Sequence, residues 1–376
     1  MCWPDLYFFF LKIEKRENRD IEVQGVSLKL SKKQICVSVL QENEQKLIEK
    51  VSPVCPKFKE NIQELLKTIE CSGQILFLVE KMEELEGRGF GPEPSIHSKG
   101  AIKFQREILK ANDWVLETLE NGLSLGRGTK FPNEYFEKNN KSAVENMDRL
   151  REKFLDYERE GKIERLKERP RICNPLSVVE KGYGENKKFR PVIDQSRCVN
   201  LFLPKEGTKL NDLAFFEPFF EQNAYMCSYD LKAMYHQLRL SEKTKDLFGC
   251  SILDENGREI FFRFVVLAFG NSRAVFTMTK LLGTTQDFFR HMGINTGVFI
   301  DDGLLVHKDK VVLKMQNWFV HKVLRMAGWV INQEKTFMEP AKRLLYQGFV
   351  IDLVRMEYSL TEDKRSHIIR EIESLK

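Results

Sequence analysis

The sequence predicts an α+β fold organised around a ferredoxin-like βαββαβ unit, and three observations carry that prediction. An apolar strand, Ala224-Tyr-Met-Cys-Ser-Tyr, ends at Asp230. Two short apolar strands, Gly297-Val-Phe-Ile and Leu304-Leu-Val, are joined at Asp301-Asp302-Gly303. Two amphipathic helices, residues 272–292 and 311–327, separate these strands from each other and from a last one at Trp329-Val-Ile.

Each element has its own justification. In the first helix Met278, Leu281, Leu282 and Phe289 supply one apolar face; in the second Val312, Met315, Phe319 and Val323 do, and Gly328 stops it. The order strand, helix, strand, strand, helix, strand is the split βαβ pattern. That fold alone fixes no function.

Upstream, Pro175-Leu-Ser-Val-Val-Glu-Lys and Lys187-Lys-Phe-Arg-Pro-Val-Ile-Asp read as a β-hairpin around a Gly182-Tyr-Gly-Glu-Asn turn. Residues 96–166 are helical and charged, with a helix from Asp148 stopped at Gly161. Glu86-Gly-Arg-Gly-Phe-Gly-Pro-Glu-Pro, rich in helix and strand breakers, is the linker candidate. It sets off residues 1–95, a region without assignable chemistry, where strands at 26–30, 35–40 and 75–79 are expected around a helix at 58–70. Residues 96–352 form the main domain, divided into approach helices and a hairpin-bearing part (96–223) and the βαββαβ part (224–352). Residues 353–376 end in a charged helix.

Composition bounds the partners. The 376 residues are 42% hydrophobic and 31% charged, with a net charge of +5, too mild to imply nucleic acid by itself. The apolar run near the N-terminus is bracketed by Asp5 and Lys12, far short of the roughly 20 residues of a membrane span, and it lacks the layout of a secretory signal. An intracellular protein, cytoplasmic or nuclear and not secreted, is expected, with no membrane partner. The eight cysteines and six histidines are scattered without zinc-ligand spacing, as in a chain of reduced thiols.

The carboxylates carry the chemistry. Asp-Asp-Gly between two strands is by itself a common tight turn. Here both flanking strands are apolar, and a third strand of the same sheet ends in Asp230, so Asp230, Asp301 and Asp302 are expected to converge. Like charges that close need counter-cations. Hard oxygen donors in this number suit Mg²⁺. Two such ions roughly 3.5–4 Å apart can activate a hydroxyl nucleophile and stabilise a leaving pyrophosphate.

At these residues the chain resembles a known family. Tyr229-Asp-Leu-Lys-Ala-Met-Tyr-His-Gln-Leu is similar to motif A of reverse transcriptases, and Leu267-Ala-Phe-Gly-Asn-Ser-Arg-Ala-Val-Phe-Thr-Met-Thr-Lys-Leu-Leu to motif B. Phe299-Ile-Asp-Asp-Gly-Leu-Leu-Val resembles the Y-x-D-D motif C, Gly328-Trp-Val-Ile-Asn-Gln-Glu-Lys-Thr with Pro340 resembles motif D, and Tyr346-Gln-Gly-Phe-Val-Ile-Asp resembles motif E. The motifs stand in family order across residues 171–352. Asn112-Asp-Trp-Val-Leu-Glu and Asn139-Asn-Lys-Ser-Ala resemble the approach segment of retrotransposon enzymes, most of all DIRS-type and LTR elements.

The resemblance implies a right-hand polymerase fold, with fingers, a ferredoxin-like palm and a truncated thumb, that extends a primer 3′-hydroxyl with deoxynucleotides on an RNA or DNA template. It implies two Mg²⁺, with Mn²⁺ as substitute, on Asp230, Asp301 and Asp302. Tyr235 falls at the steric gate against a ribose 2′-hydroxyl, and Phe269 with Gly270 forms the floor under the nucleotide. Lys187, Lys188 and Arg190 would close on the triphosphate, and Lys335 would protonate the departing pyrophosphate. Tyr346, Gln347, Gly348 and Phe349 would be the primer grip. RNase H, integrase or recombinase partners would lie outside this chain.

Several residues depart from the family pattern: Ala233 in motif A, Ala268, Arg273 and Val275 in motif B, Phe299 for the Tyr of motif C, and Gln347 for Leu in motif E. None removes an expected metal ligand. They open a second reading, a catalytically inactive retroelement remnant that binds nucleic acid or acts as a scaffold.

Overall fold

The structure is a computed structural model that describes residues 21–23, 26–28, 69–126, 128–181, 188–205 and 207–374. The chain divides into two units, Met1–Val79 and Glu80–Lys376. In the first, strands β1 (Ile21–Val23) and β2 (Val26–Leu28) form an antiparallel pair. The expected strand at 35–40 and most of the expected helix at 58–70 lie outside the described residues.

The expected strand at 75–79 is not a strand. It lies within helix α1 (Ile69–Gly87). Ile75, Leu78, Val79, Met82 and Leu85 are all buried. Their spacing of three and four continues past the apolar run and is helical, not alternating.

In the second unit, residues 88–98 are packed rather than free. Phe90 and Ile96 are buried, and the Glu93 N–H donates to the Arg325 carbonyl at 2.9 Å. Gly328, with φ +81°, ends the second palm helix so close to Ser95 that a Cβ would stand 2.3 Å from its backbone.

Helices α2 (Lys99–Glu107) and α3 (Asp113–Asn121) follow, each capped by a side chain, Ser98 and Asn112. After strand β3 (Tyr135–Phe136) come α4 (Lys141–Glu145) and α5 (Met147–Arg159), then β4 (Ile163–Leu166) and β5 (Ile172–Cys173). The hairpin is present as β6 (Leu176–Lys181) and β7 (Lys188–Ile193), paired antiparallel as a two-stranded sheet. Its tip, 182–187, lies outside the described residues.

The palm begins at β8 (Tyr225–Asp230). The chain then leaves it for β9 (Gly249–Leu253) and β10 (Glu259–Phe264), which join a five-stranded sheet of order β3-β5-β9-β10-β4. Residues between motifs A and B therefore complete the fingers-side sheet. The palm resumes with helix α6 (Ala274–His291), strands β11 (Thr296–Phe299) and β12 (Asp302–His307), helix α7 (Lys310–Met326) and strand β13 (Phe337–Ala341). The palm sheet has the order β11-β12-β8-β13, the ferredoxin-like arrangement, with the two centre strands bearing the carboxylates.

The fourth palm strand is not Trp329-Val-Ile. That segment makes only an isolated bridge, Leu231 with Ile331, while β13 pairs with β8 through an irregular register. Trp329 and Ile331 are buried and Val330 is exposed, so the segment alternates like a strand while crossing the end of β8. The last sheet is a meander of β14 (Arg343–Tyr346), β15 (Phe349–Asp352) and β16 (Glu357–Leu360), followed by the exposed helix α8 (Glu362–Ser374).

Candidate active site

The carboxylates come together at one end of the palm sheet. Asp302 is the register partner of Asp230 on the neighbouring antiparallel strand, and the Leu231 N–H donates to the Asp301 carbonyl at 2.9 Å. Phe299 faces Asp302, which leaves Ile300 and Asp301 as the turn. Ile300 has φ 59°, a conformation uncommon for a β-branched residue and costing about 1–3 kcal/mol.

The turn is thus one residue earlier than the sequence suggested. Asp302 and Gly303 belong to β12. Gly303 stands opposite Tyr229, and a Cβ there would lie 2.1 Å from the Tyr229 ring. The glycine serves close packing under the site, not the turn. The fully buried Tyr229 hydroxyl accepts a hydrogen bond from Gln286 Nε2 of α6 at 3.2 Å, tying the motif A strand to the motif B helix.

Charge is concentrated here. Burial, then the Asp301 and Asp230 carboxylates beside it, push Asp302 up to about 7. Asp230 is 4% exposed. Its Oδ2 receives the Lys335 ammonium at 3.0 Å and its Oδ1 the Asn332 side-chain amide at 2.8 Å. Among the described residues no three His, Cys, Asp or Glu side chains stand as a ready metal-binding group. Both Asp230 oxygens are hydrogen-bonded, to Asn332 and to Lys335, with the ammonium as counter-cation. The donor set, Asp230 and Asp302 on paired strand ends with Asp301 on the adjoining turn, fits a hard divalent cation.

Tyr235 is buried at 8% exposure, and its ring meets Phe269 edge to face at 4.9 Å. Burial, and to a smaller degree the Asp301 charge, push its hydroxyl up to about 12. The Arg190 guanidinium lies 5.6 Å from the Phe269 ring centre, bringing the fingers hairpin over the same floor. Gly270 has φ +110° and approaches Ile193 so closely that a Cβ would lie 1.8 Å from its carbonyl oxygen. Only glycine satisfies both conditions. Lys188 begins β7; Lys187 lies outside the described residues.

The motif E residues divide. Tyr346 is 3% exposed, and its hydroxyl donates to the Asp302 carbonyl at 2.8 Å, so it braces the carboxylate hairpin from below. Gln347 and Gly348 form a two-residue turn with φ 50° and 79°, both positive as a type I′ hairpin requires. Gln347 Nε2 donates to the Asn211 carbonyl at 3.2 Å. Phe349, 38% exposed, is the residue of this group that offers a large apolar surface.

Two polar side chains at the site had not been singled out from sequence. Asn332 bonds Asp230 through both its side chain and its backbone N–H. Gln237, two residues past Tyr235, binds the Val330 backbone. The available signal is weak: one carboxamide within motif A and one of two within motif D, of a residue type with no chemistry of its own to mark it.

A βαββαβ palm with paired acidic strand ends, a hairpin closing over it and a brace behind it is the architecture of a right-hand polymerase fold. Residues 181–351 match the family model described as reverse transcriptase (RNA-dependent DNA polymerase). Among solved structures the chain is similar to a foamy viral protease–reverse transcriptase in complex with double-stranded DNA, at 17% identity and a TM-score of 0.49. That match covers 95% of this chain and 51% of the viral one, so the chain spans about half the length of that protein. No curated protein matches the chain significantly. Among the described residues no helix is long and apolar enough to cross a membrane.

Proposed function

We propose that the chain is a catalytically competent retrotransposon reverse transcriptase domain that adds deoxynucleotides to a primer 3′-hydroxyl by two-metal nucleotidyl transfer. The observation that carries this reading is the register pairing of Asp230 with Asp302, with Asp301 on the adjoining turn. Asp230 and Asp301 would hold both Mg²⁺ ions and Asp302 would assist. When bound, those ions supply charge neutralisation and activation of the primer hydroxyl.

The chain's own residues supply position. Arg190 faces the triphosphate from the hairpin, where its planar fork suits phosphate oxygens. Phe269 and Gly270 present a flat floor to the incoming nucleotide. Tyr235, wedged edge-on against Phe269, occupies the space a ribose 2′-hydroxyl would need, which favours deoxynucleotides. Lys335 sits within hydrogen-bonding reach of Asp230 and can swing to the leaving pyrophosphate as a proton donor. Phe349 and the Gln347-Gly348 turn would support the primer end, with Tyr346 setting the height of that hairpin.

The test is extension of a DNA primer on an RNA template with Mg²⁺. Incorporation that Asp301→Asn abolishes is expected. Absence of extension with template binding retained would favour the reading of an inactive remnant that binds nucleic acid.

A further inference from the structure

We propose that Asn332, seated by Gln237, is a positioning residue that orients Asp230 for divalent-cation binding. This rests on the two-ion reading of the site. The side chains that donate hydrogen bonds to the Asp230 carboxylate, Asn332 and Lys335, belong to one loop, Val330 to Thr336, laid across the end of β8. Asn332 contacts Asp230 twice: its N–H donates to the Asp230 carbonyl at 2.8 Å, and its Nδ2 donates to Oδ1 at 2.8 Å. The Thr336 hydroxyl donates to the Asn332 carbonyl at 2.7 Å and closes the loop on itself. One oxygen of a 4% exposed carboxylate is thereby fixed by a neutral donor, separately from Lys335, whose side chain is 47% exposed and bonds the other oxygen.

Gln237 sets where that loop starts. Its Oε1 accepts from the Val330 N–H at 2.9 Å, and its Nε2 donates to the Val330 carbonyl at 3.1 Å and the Lys232 carbonyl at 2.8 Å. One side-chain amide thus presents to Val330 the donor and acceptor that a neighbouring strand would present. Val330 is 41% exposed, so these hydrogen bonds, together with Lys232 N–H to Val330 carbonyl at 2.9 Å, register this residue where its own side chain cannot. Two residues later that register delivers Asn332 to Asp230. Hydrogen-bonded partners behind a ligating carboxylate commonly account for 10–100-fold in metal affinity.

The probe is Mn²⁺ alone, titrated into the full chain and followed by the loss of the free-ion electron paramagnetic resonance signal, with thermal unfolding of each variant alongside. Asn332→Ala is expected to weaken Mn²⁺ binding about tenfold or more. Gln237→Ala should weaken it in the same direction, and the double variant should bind no worse than Asn332→Ala, because Gln237 acts through Asn332. Gln237→Glu, which keeps the acceptor and turns a carboxylate toward two carbonyl oxygens, should behave like Gln237→Ala. Asn332→Ser, too short to reach Oδ1, carries the same expectation if the alanine variant does not fold. Unchanged Mn²⁺ affinity in folded Asn332 variants would overturn the role of Asn332. Additive losses in the double variant would overturn the link to Gln237. A wild-type chain that takes up no Mn²⁺ would overturn the two-ion reading itself, and this inference with it.

Discussion

Gly303→Ala tests whether the carboxylate strands are held apart by packing under the site. Gly303 and Tyr229 are register partners on β12 and β8, one residue from Asp302 and Asp230. An alanine Cβ would fall 2.1, 2.4 and 2.5 Å from three ring atoms of Tyr229, well inside contact distance. The ring cannot yield easily: it is 1% exposed, lies edge-on to His321 at 6.0 Å, and accepts from Gln286. Overpacking of this kind typically costs about 1–3 kcal/mol, and a ring trapped on every side belongs at the upper end. About 3 kcal/mol corresponds to a fall in Tm of roughly 6–12 °C for a domain of this size. Because the strain falls between Asp230 and Asp302, primer extension should drop more than stability does. The decisive assay is a double-mutant cycle by thermal unfolding. In a Tyr229→Ala background the obstructing ring is gone, and Gly303→Ala should cost less than about 0.5 kcal/mol. Equal cost in both backgrounds would refute the packing argument, as would Gly303→Ala at wild-type Tm.

Three further outcomes follow from the same geometry. Gly270→Ala combines a strained φ of +110° with a clash against the Ile193 carbonyl and should cost about 2 kcal/mol or more in chemical unfolding; a neutral result would show that the motif B floor does not rest on β7. Tyr235→Val should keep dNTP incorporation while raising the relative kcat/KM for rNTPs at least about tenfold, equivalent to about 1.4 kcal/mol; an unchanged rNTP-to-dNTP ratio in steady-state extension would remove Tyr235 from sugar selection. Stability should fall in acid through His97, whose Nδ1 donates to the Leu119 carbonyl at 2.7 Å while Nε2 accepts from the Arg239 N–H at 2.9 Å. Burial first, then Arg239, lowers His97 to about 4. The unfolded chain therefore takes up this proton near pH 6.5 and the folded chain does not, so stability is full above pH 6.5 and declines toward pH 4, by up to about 3 kcal/mol from this group. His97→Ala should flatten that acid limb in denaturant titrations; an unaltered slope would assign the decline elsewhere.

What the sequence made legible, and what it did not, divides along the range of the interactions. Asp230, Asp301 and Asp302 could be brought together in advance because each sits at, or on the turn beside, the end of an apolar strand, and the βαββαβ order makes those strands neighbours. The second palm helix was equally plain: Asp309 caps it by accepting from Val311 and Val312, and Gly328 ends it, all within one stretch of chain. The fourth palm strand was misplaced because local signals favoured the wrong segment. Trp329-Val-Ile alternates in burial, whereas β13 carries Pro340 and exposes Phe337, Met338 and Glu339, the marks of an edge strand. The fingers sheet was hidden for another reason. Its strands β9 and β10 pair with β5 and β4 across roughly 75 to 100 residues of chain, and no local pattern encodes a partner that distant. Asn332 and Gln237 belong to the same class. Each is an unremarkable polar residue, Gln237 at the end of a 3-10 helix and Asn332 just before another, and its role arises only when the loop after α7 crosses the end of β8. A motif search finds the groups that carry charge because their chemistry restricts the residue type. It passes over the groups that aim them, because any donor at the right height would serve, and that height is set by the tertiary fold.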